Sequence, residues 1–211
     1  MPILKSLIVA GAAGIAISLV CLIALHALPS PVKPLRDAIC DHASLRFGFL
    51  FRLQCAATGM SGICLIALLV RSGYIGPSYG AFAHLGVTAL IVFALSRIAI
   101  IFFPSDLGPP RTKRGIVHMA LDVLMFIGIS YGSGFINYYL IHNRFPGGVA
   151  WAGVDAMLWM TAALIELCSV LTIFTVSVPA FRRFMGLNER FLYLGILLWL
   201  GAAFMPMLSL P

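Results

Sequence analysis

The chain has 211 residues, of which 61% are hydrophobic and only 10% are charged. A soluble globular domain carries about 25% charged residues, so this composition excludes a protein whose whole surface faces water. The net charge of +7 does not predict nucleic-acid binding, because the basic residues lie at the ends of apolar runs and not along a groove-sized stripe.

Six apolar runs follow one another along the chain, each of 20 or more residues. A helix of about 20 residues spans a hydrocarbon core of roughly 30 Å. The sequence therefore predicts an all-α fold, an integral membrane bundle of six transmembrane helices that forms a single domain over residues 1–211. The runs are Leu4–Leu28, Phe49–Val70, Ala81–Phe103, Ile116–Ile141, Val149–Val178 and Phe191–Leu210.

The first run resembles a signal peptide only in its position. It is longer than the usual apolar core of such a peptide and no A-x-A site follows it, so we expect a retained helix. Small residues recur at four-residue spacing in this run and in the fourth, at Gly14 and Ser18 and at Gly128 and Gly132. We expect them to allow close helix packing within the chain, in preference to a dimer interface.

The distribution of basic residues predicts the orientation in the membrane. Connections one, three and five, with their flanks, hold ten Lys and Arg residues against three on the opposite side. The positive-inside rule then puts the odd connections in the cytoplasm and both termini outside. The ten are Lys33, Arg36, Arg46, Arg52, Arg111, Lys113, Arg114, Arg182, Arg183 and Arg190, and the three are Lys5, Arg71 and Arg144.

Three charged residues, Arg97, Asp122 and Glu166, lie inside the runs. Each costs about 2.5–3.5 kcal/mol at the centre of a membrane helix, so we expect each to be paired, solvated or functional. Arg97 and Asp122 lie about six residues from the same end of consecutive helices, at a depth of roughly 9 Å. We therefore predict an Arg97–Asp122 ion pair.

A polar network is predicted where the third connection meets the fourth helix. His118 and Asp122 are four residues apart and share one helix face. Thr112 is a plausible N-cap, and Asp106 lies close to His118 in depth. With Arg97, these residues either hold helices three and four together or line a cytoplasm-facing cavity, in which Arg97 anchors an anionic or polar head group.

A metal site of His118, Asp122 and Asp106 is the least favoured interpretation of this network. No H-x-x-x-H or H-E-x-x-H pattern supports it, so we expect no metal. The five cysteines form no C-x-x-C pair and predict neither a disulfide framework nor a zinc site. We also expect no cofactor, because His84 and His118 lie near opposite membrane faces and cannot share a haem.

Glu166 lies near the middle of the fifth helix, and two interpretations remain open. It is a neutral acid that hydrogen-bonds between helices, or it binds a polar ligand group or relays a proton. We expect polar side chains of neighbouring helices to face it: Gln54, Thr58 and Ser61 on the second, and Ser130 and Tyr131 on the fourth.

Two segments carry the most distinctive motifs. One surrounds the third connection, with the pattern F-P-x-D…T-x-x-G-x-x-H, and the other precedes the last helix. Their residues are Ser96-Arg97, Phe102-Phe103-Pro104-Ser105-Asp106, Thr112, Gly115 and His118, then Gly186-Leu187-Asn188-Glu189-Arg190-Phe191 and Trp199.

These segments resemble the bacterial and archaeal membrane family called domain of unknown function 998. The first connection is similar too, although this chain has Cys40-Asp41 where that family often carries a Ser-Asp pair. The resemblance covers most of the chain and implies a six-helix membrane protein. We expect it in the inner membrane of a bacterial cell. It implies no settled activity.

Three functions are therefore considered, in order of preference. The first is the binding, or transport, of a lipid-like or small polar ligand in a polar bundle interior, by Arg97, Asp106, His118, Asp122 and Glu166. The second is an accessory or assembly subunit that contacts a membrane-protein partner. The third is an intramembrane enzyme that modifies a lipid. Membrane lipids are expected partners in each case, and nucleic acid in none.

Three structural observations distinguish these functions. A cavity that reaches Glu166 favours binding or transport, and a tightly filled bundle favours a subunit. A pocket that brings His118 and a carboxylate within about 3 Å favours an enzyme.

Overall fold

Six long helices form the computed structural model, which describes residues 2–71, 73, 80–107, 112–142, 152–178 and 180–209. All six are long and apolar enough to cross a membrane, and no strand occurs in the described ranges. The predicted all-α, six-helix fold is confirmed. The helices are α1 Pro2–Ala27, α2 Gly48–Arg71, α3 Ala81–Ala99, α4 Lys113–His142, α5 Ala152–Ser177 and α6 Met185–Phe204.

The helices differ from the apolar runs mainly at the ends that carry polar residues. Helix α6 begins at Met185, well before the predicted Phe191, and α4 begins at Lys113. A helix predicted from hydropathy ends at the first polar side chains, whereas the helix in the structure continues through them into the head-group region. Glu189 and Arg190 are thereby placed in the first turns of α6, where the sequence analysis put a loop.

Consecutive helices pack closely where their residues are small. A Cβ at Gly14 would lie 2.7 Å from the Ala57 carbonyl oxygen, so α1 meets the backbone of α2 there. A Cβ at Gly128 would lie 2.7 Å from the backbone of α3, at Ala89 O and Phe93 N. The small residues therefore serve contacts within the chain, as predicted.

The first connection closes one end of the bundle over the start of α6. The Leu187 N–H donates to the Leu35 carbonyl at 3.1 Å, and the Arg190 guanidinium donates to the Asp37 carbonyl at 3.0 Å. A short 3₁₀ helix, Ile39–Ser44, follows. Arg111 and Arg144, which contributed to the predicted orientation, lie outside the described residues.

Candidate functional site

A cavity of about 1240 Å³ runs along α4 and α5 and reaches the first connection. It is larger than most small-molecule sites, which hold about 300–1,000 Å³. We call its charged end, beneath the first connection, the head end, and its apolar stretch the arm. The head end includes Arg36, Asp37, Cys40, Asp41, Asp106, His118, Asp122, Arg182 and Glu189; the arm includes Val123, Phe126, Ile127, Val170 and Ile173.

His118 and Asp122 face each other at the head end, one turn apart on α4 as predicted. The His118 ring is 3% exposed, and its Nδ1 lies 2.5 Å from the Phe103 carbonyl oxygen. Its Nε2 lies 3.1 Å from Asp122 Oδ2. Neither His118 Nε2 nor Asp122 Oδ1 has a hydrogen-bond partner, although both atoms are buried. Buried unpaired polar atoms are costly, so this pair is incompletely satisfied.

Asp106 holds the start of α4 and also lines the head end. Its carboxylate accepts hydrogen bonds from the Thr112 N–H and from Thr112 Oγ1, the latter at 2.8 Å. Thr112 Oγ1 accepts the Gly115 N–H at 3.1 Å, which confirms the predicted N-cap. A Cβ at Gly115 would lie 2.1 Å from Asp106 Oδ2. The D…T-x-x-G-x-x-H spacing is thus a helix cap that places His118 one turn further along.

Arg97 has other partners than the one predicted. It is fully buried and donates to Gln54 Oε1 on α2 and to the Tyr193 hydroxyl on α6, the latter at 2.8 Å. Its guanidinium also lies 4.9 Å from the centre of the Tyr193 ring. The predicted Arg97–Asp122 ion pair is wrong, because these neutral oxygens bind Arg97 and Asp122 faces His118. Arg97 does not line the cavity, so the geometry gives no support to its predicted role as an anchor.

The polar stripe on α2 faces α1 and Arg97, and the expectation that it faces Glu166 is wrong. Thr58 Oγ1 lies 2.7 Å from Ser18 Oγ, and Ser61 Oγ donates to the Gly11 carbonyl at 2.9 Å. The Thr58 hydroxyl thus pairs with a hydroxyl of α1, and the Ser61 hydroxyl pairs with the α1 backbone. The stripe is therefore part of the helix packing.

Glu166 lies on the cavity wall, beyond the arm, together with Ser130, Tyr131 and Ser169. The two serine hydroxyls lie 3.0 Å apart and join α4 to α5. Glu166 itself is exposed and has no hydrogen-bond partner among the described residues. Glu166 therefore makes no interhelical hydrogen bond to any of the described residues. Its carboxyl group is accessible from the cavity.

Six of the nine head-end residues were not among the predicted site residues, and Cys40 and Glu189 are two of them. Glu189 Oε2 accepts the Ile39 N–H at 2.6 Å, and Ser105 Oγ donates to the Cys40 carbonyl at 2.6 Å. These bonds fix the backbone on both sides of Cys40. Burial raises the pKa of the Cys40 thiol well above its usual range, and nearby carboxylates, Glu189 first, raise it further.

The fold brings donor atoms together that the sequence separates widely. Cys40 Sγ, His118 nitrogen and Asp122 oxygen lie within 4.8 Å of one another. We expected no metal because neighbouring helical positions lack a ligand pattern. The third donor comes from the first connection, about 80 residues away, where no spacing rule applies.

Comparison with known proteins agrees with the resemblance carried by the motifs. Residues 12–205 match the model of a family described as protein of unknown function (DUF998). No curated protein and no solved structure matches the chain.

Proposed function

We propose that this chain, which belongs to the DUF998 family of proteins of unknown function, binds one lipid-like molecule in the cavity between α4 and α5. The observation that carries this proposal is the continuity of a charged head end with an apolar arm in one cavity. An amphiphile has the same division between a polar and an apolar part.

The arm suits an acyl chain. Val123, Ile127, Val170 and Ile173 line it, and each is between 49% and 66% exposed in the chain alone. In a bilayer such side chains contact acyl chains. Because lipid tails are as apolar as these side chains, moving a tail into the arm gains little hydrophobic free energy. The arm therefore admits the ligand, and the head end provides the affinity and selectivity.

The charges at the head end favour a head group that donates hydrogen bonds or carries positive charge. Five carboxylates line it, against two arginines. The carboxylates of Asp37, Asp106 and Glu189 already accept backbone N–H groups, whereas Asp122 Oδ1 has no partner. An amine or hydroxyl group would satisfy that oxygen. This differs from the anionic head group considered with Arg97 as the anchor.

The head end lies on the side of connections one, three and five. By the positive-inside rule, we propose that it faces the cytoplasm of a bacterial cell and that the chain lies in the inner membrane. The ligand would then be taken from the cytoplasmic leaflet.

Paired substitutions on α4 test the proposal. Ile127 lines the arm and is 49% exposed, whereas Leu124 is 45% exposed but does not line the cavity. Protein purified in mild detergent is analysed by native mass spectrometry. We expect wild type and Leu124→Trp to retain one lipid per chain, and Ile127→Trp to lose it. Equal lipid content in the two variants, or a wild type without a retained lipid, would refute lipid binding.

A second candidate is an enzyme that modifies the bound lipid. The observation that favours it is the 3.1 Å separation of His118 Nε2 and Asp122 Oδ2 at the head end, which suits acid–base chemistry. Purified protein is incubated in vesicles of bacterial lipid extract, and the lipids are then analysed by mass spectrometry. An enzyme would produce a new lipid species. His118→Gln would abolish the product. Wild type that leaves every lipid unchanged would exclude this candidate.

A further inference from the structure

We propose that Cys40, His118 and Asp122 form a binding site for one divalent transition-metal ion of the zinc class. The site lies at the head end but does not rest on the proposed lipid binding. Three independent features of the cluster support it: the donor atoms are close together, His118 Nε2 has no hydrogen-bond partner, and the surroundings are fixed and negatively charged.

The separations suit ligands of one ion. The three donor atoms lie within 4.8 Å of one another, and the His118 and Asp122 atoms lie 3.1 Å apart. With ligand bonds of about 2.0–2.3 Å, tetrahedral neighbours are separated by roughly 3.3–3.6 Å. The nitrogen–oxygen separation is already close to that value. The thiol reaches it by a side-chain adjustment of about an ångström.

The hydrogen bond of His118 to Phe103 uses Nδ1 and leaves Nε2, the ring nitrogen beside Asp122, free to bind a metal ion. A carbonyl oxygen only accepts, so Nδ1 must carry the proton that is donated to Phe103 O. In a neutral ring, Nε2 is then an acceptor, and it lies 3.1 Å from Asp122 Oδ2, which is also an acceptor. Two acceptors at 3.1 Å repel each other unless a proton or a cation lies between them.

A proton on Nε2 would make this contact an ion pair but not a hydrogen bond. Although close to Asp122, Nε2 makes no hydrogen bond, and Asp122 Oδ1 is also buried without a partner. A metal ion would bind Nε2 and Asp122 Oδ2 together and leave Oδ1 free to accept a hydrogen bond. Metal-bound histidines in proteins typically donate the other ring N–H to a carbonyl or carboxylate, as His118 does here.

The third ligand is held in place by its backbone. Ser105 and Glu189 fix the residues at and before Cys40, by bonds to the Cys40 carbonyl and from the Ile39 N–H. The carboxylates of Asp41 and Glu189 lie close enough to add negative potential at the thiol. Such a field disfavours a free thiolate and favours a bound cation, whose charge compensates that of the thiolate.

The donor set indicates the type of metal. Thiolate, imidazole and carboxylate together suit zinc and similar borderline ions, whereas magnesium and calcium prefer oxygen ligands alone. All three residues line the cavity, so a fourth coordination position would face it. Three protein ligands with an open position are typical of zinc sites that bind water or a ligand.

Cobalt(II) provides the most direct test, because it replaces zinc and its thiolate charge-transfer band reports on the ligands. Wild-type protein in detergent is stripped with chelator and titrated with Co(II), then with Zn(II) in competition. We expect one equivalent of Co(II), a near-ultraviolet charge-transfer band and displacement by Zn(II). Absence of the band in wild type, or binding without saturation at one equivalent, would overturn the proposal.

Variants assign the ligands. Cys40→Ser is expected to abolish the band, and Asp122→Asn and His118→Gln are expected to weaken binding by at least about tenfold, a loss seen even for outer-shell groups. The controls are Cys21→Ser, a buried thiol on α1, and His84→Gln, an exposed histidine on α3. Both should bind like wild type. A band that persists in Cys40→Ser would overturn the assignment.

A measurement on wild type avoids any folding defect of the variants. Cys40 is partly exposed, whereas the other four cysteines are buried. One equivalent of Zn(II) should therefore slow the alkylation of Cys40, as followed by peptide mass spectrometry. Unchanged alkylation would contradict metal binding. The Ile127→Trp variant, which is expected to lose lipid, should keep its metal, so the two proposals fail separately.

Discussion

At the residue scale, Arg97 shows how a charge in the bundle is accommodated without a carboxylate in direct contact. A buried charge costs several kcal/mol unless its hydrogen bonds are made. Arg97 donates through both terminal nitrogens, to Gln54 and to Tyr193, and lies over the Tyr193 ring, while its Nε is buried without a partner. These contacts join α3 to α2 and α6 at one point. Arg97 therefore stabilises the bundle, and the cavity lies elsewhere.

A double-mutant cycle tests this role. Gln54→Leu should destabilise the protein by about 3–5 kcal/mol, because it removes an acceptor from a buried charge. Adding Arg97→Met should recover part of that loss, with a coupling free energy of about 0.5–3 kcal/mol. Unfolding in detergent, followed by circular dichroism, measures the effects. Arg52→Met, at an exposed position on α2, is the control. Strictly additive effects would exclude a direct Arg97–Gln54 interaction.

The sequence identified Arg97 and Asp122 as residues that need partners, but it assigned the wrong ones. Counting residues gives depth along a helix and says little about which neighbour a side chain faces. Opposite charges were therefore paired, although neutral oxygens of Gln54 and Tyr193 were closer to Arg97. The His118–Asp122 contact was predictable, since it depends only on the four-residue spacing within α4.

At the element scale, α3 and α4 are joined by a cap and by close backbone packing. Asp106 and Thr112 fix where α4 begins, and Gly115 leaves room for the Asp106 carboxylate. Further along, Gly128 lets α4 approach the backbone of α3. The cap and the small-residue spacing were both predictable, because each is a local pattern. The start of α6 was not, because its first turns are polar.

The packing at Gly128 is testable by adding one methyl group. Gly128→Ala places a Cβ 2.7 Å from the α3 backbone, so it should destabilise the protein by about 1–3 kcal/mol. Gly201→Ala, also within a helix, meets nothing within 4 Å and should be neutral or stabilising by up to about 1 kcal/mol. Apparent melting temperatures in detergent compare the two. Equal effects would show that α3 and α4 are not in close contact at Gly128.

At the scale of the whole molecule, the head end is assembled from distant parts of the chain. The first connection, the third connection, α4 and the start of α6 all contribute side chains to it. The six-helix fold follows from hydropathy alone, but this assembly does not. Cys40 and Glu189 are 149 positions apart, and only the folded bundle brings both to one cavity.

The proposed orientation makes a prediction about the whole chain. Reporter fusions or impermeant thiol labelling in intact bacteria should place connections one, three and five in the cytoplasm and both termini outside. A cysteine introduced at the exposed position of Ser6, near the start of α1, should react from outside the cell. One introduced at Arg182 should react only after the membrane is permeabilised. The opposite pattern would put the head end outside and change the leaflet from which a ligand enters.

The most direct measurement of the central proposal is an experimental density map of the wild-type protein in lipid nanodiscs. We expect elongated density in the cavity between α4 and α5, with its broad end beside His118 and Asp122 and its narrow part between Ile127 and Val170. A map in which side chains fill this space, with α4 and α5 packed together along their length, would contradict ligand binding.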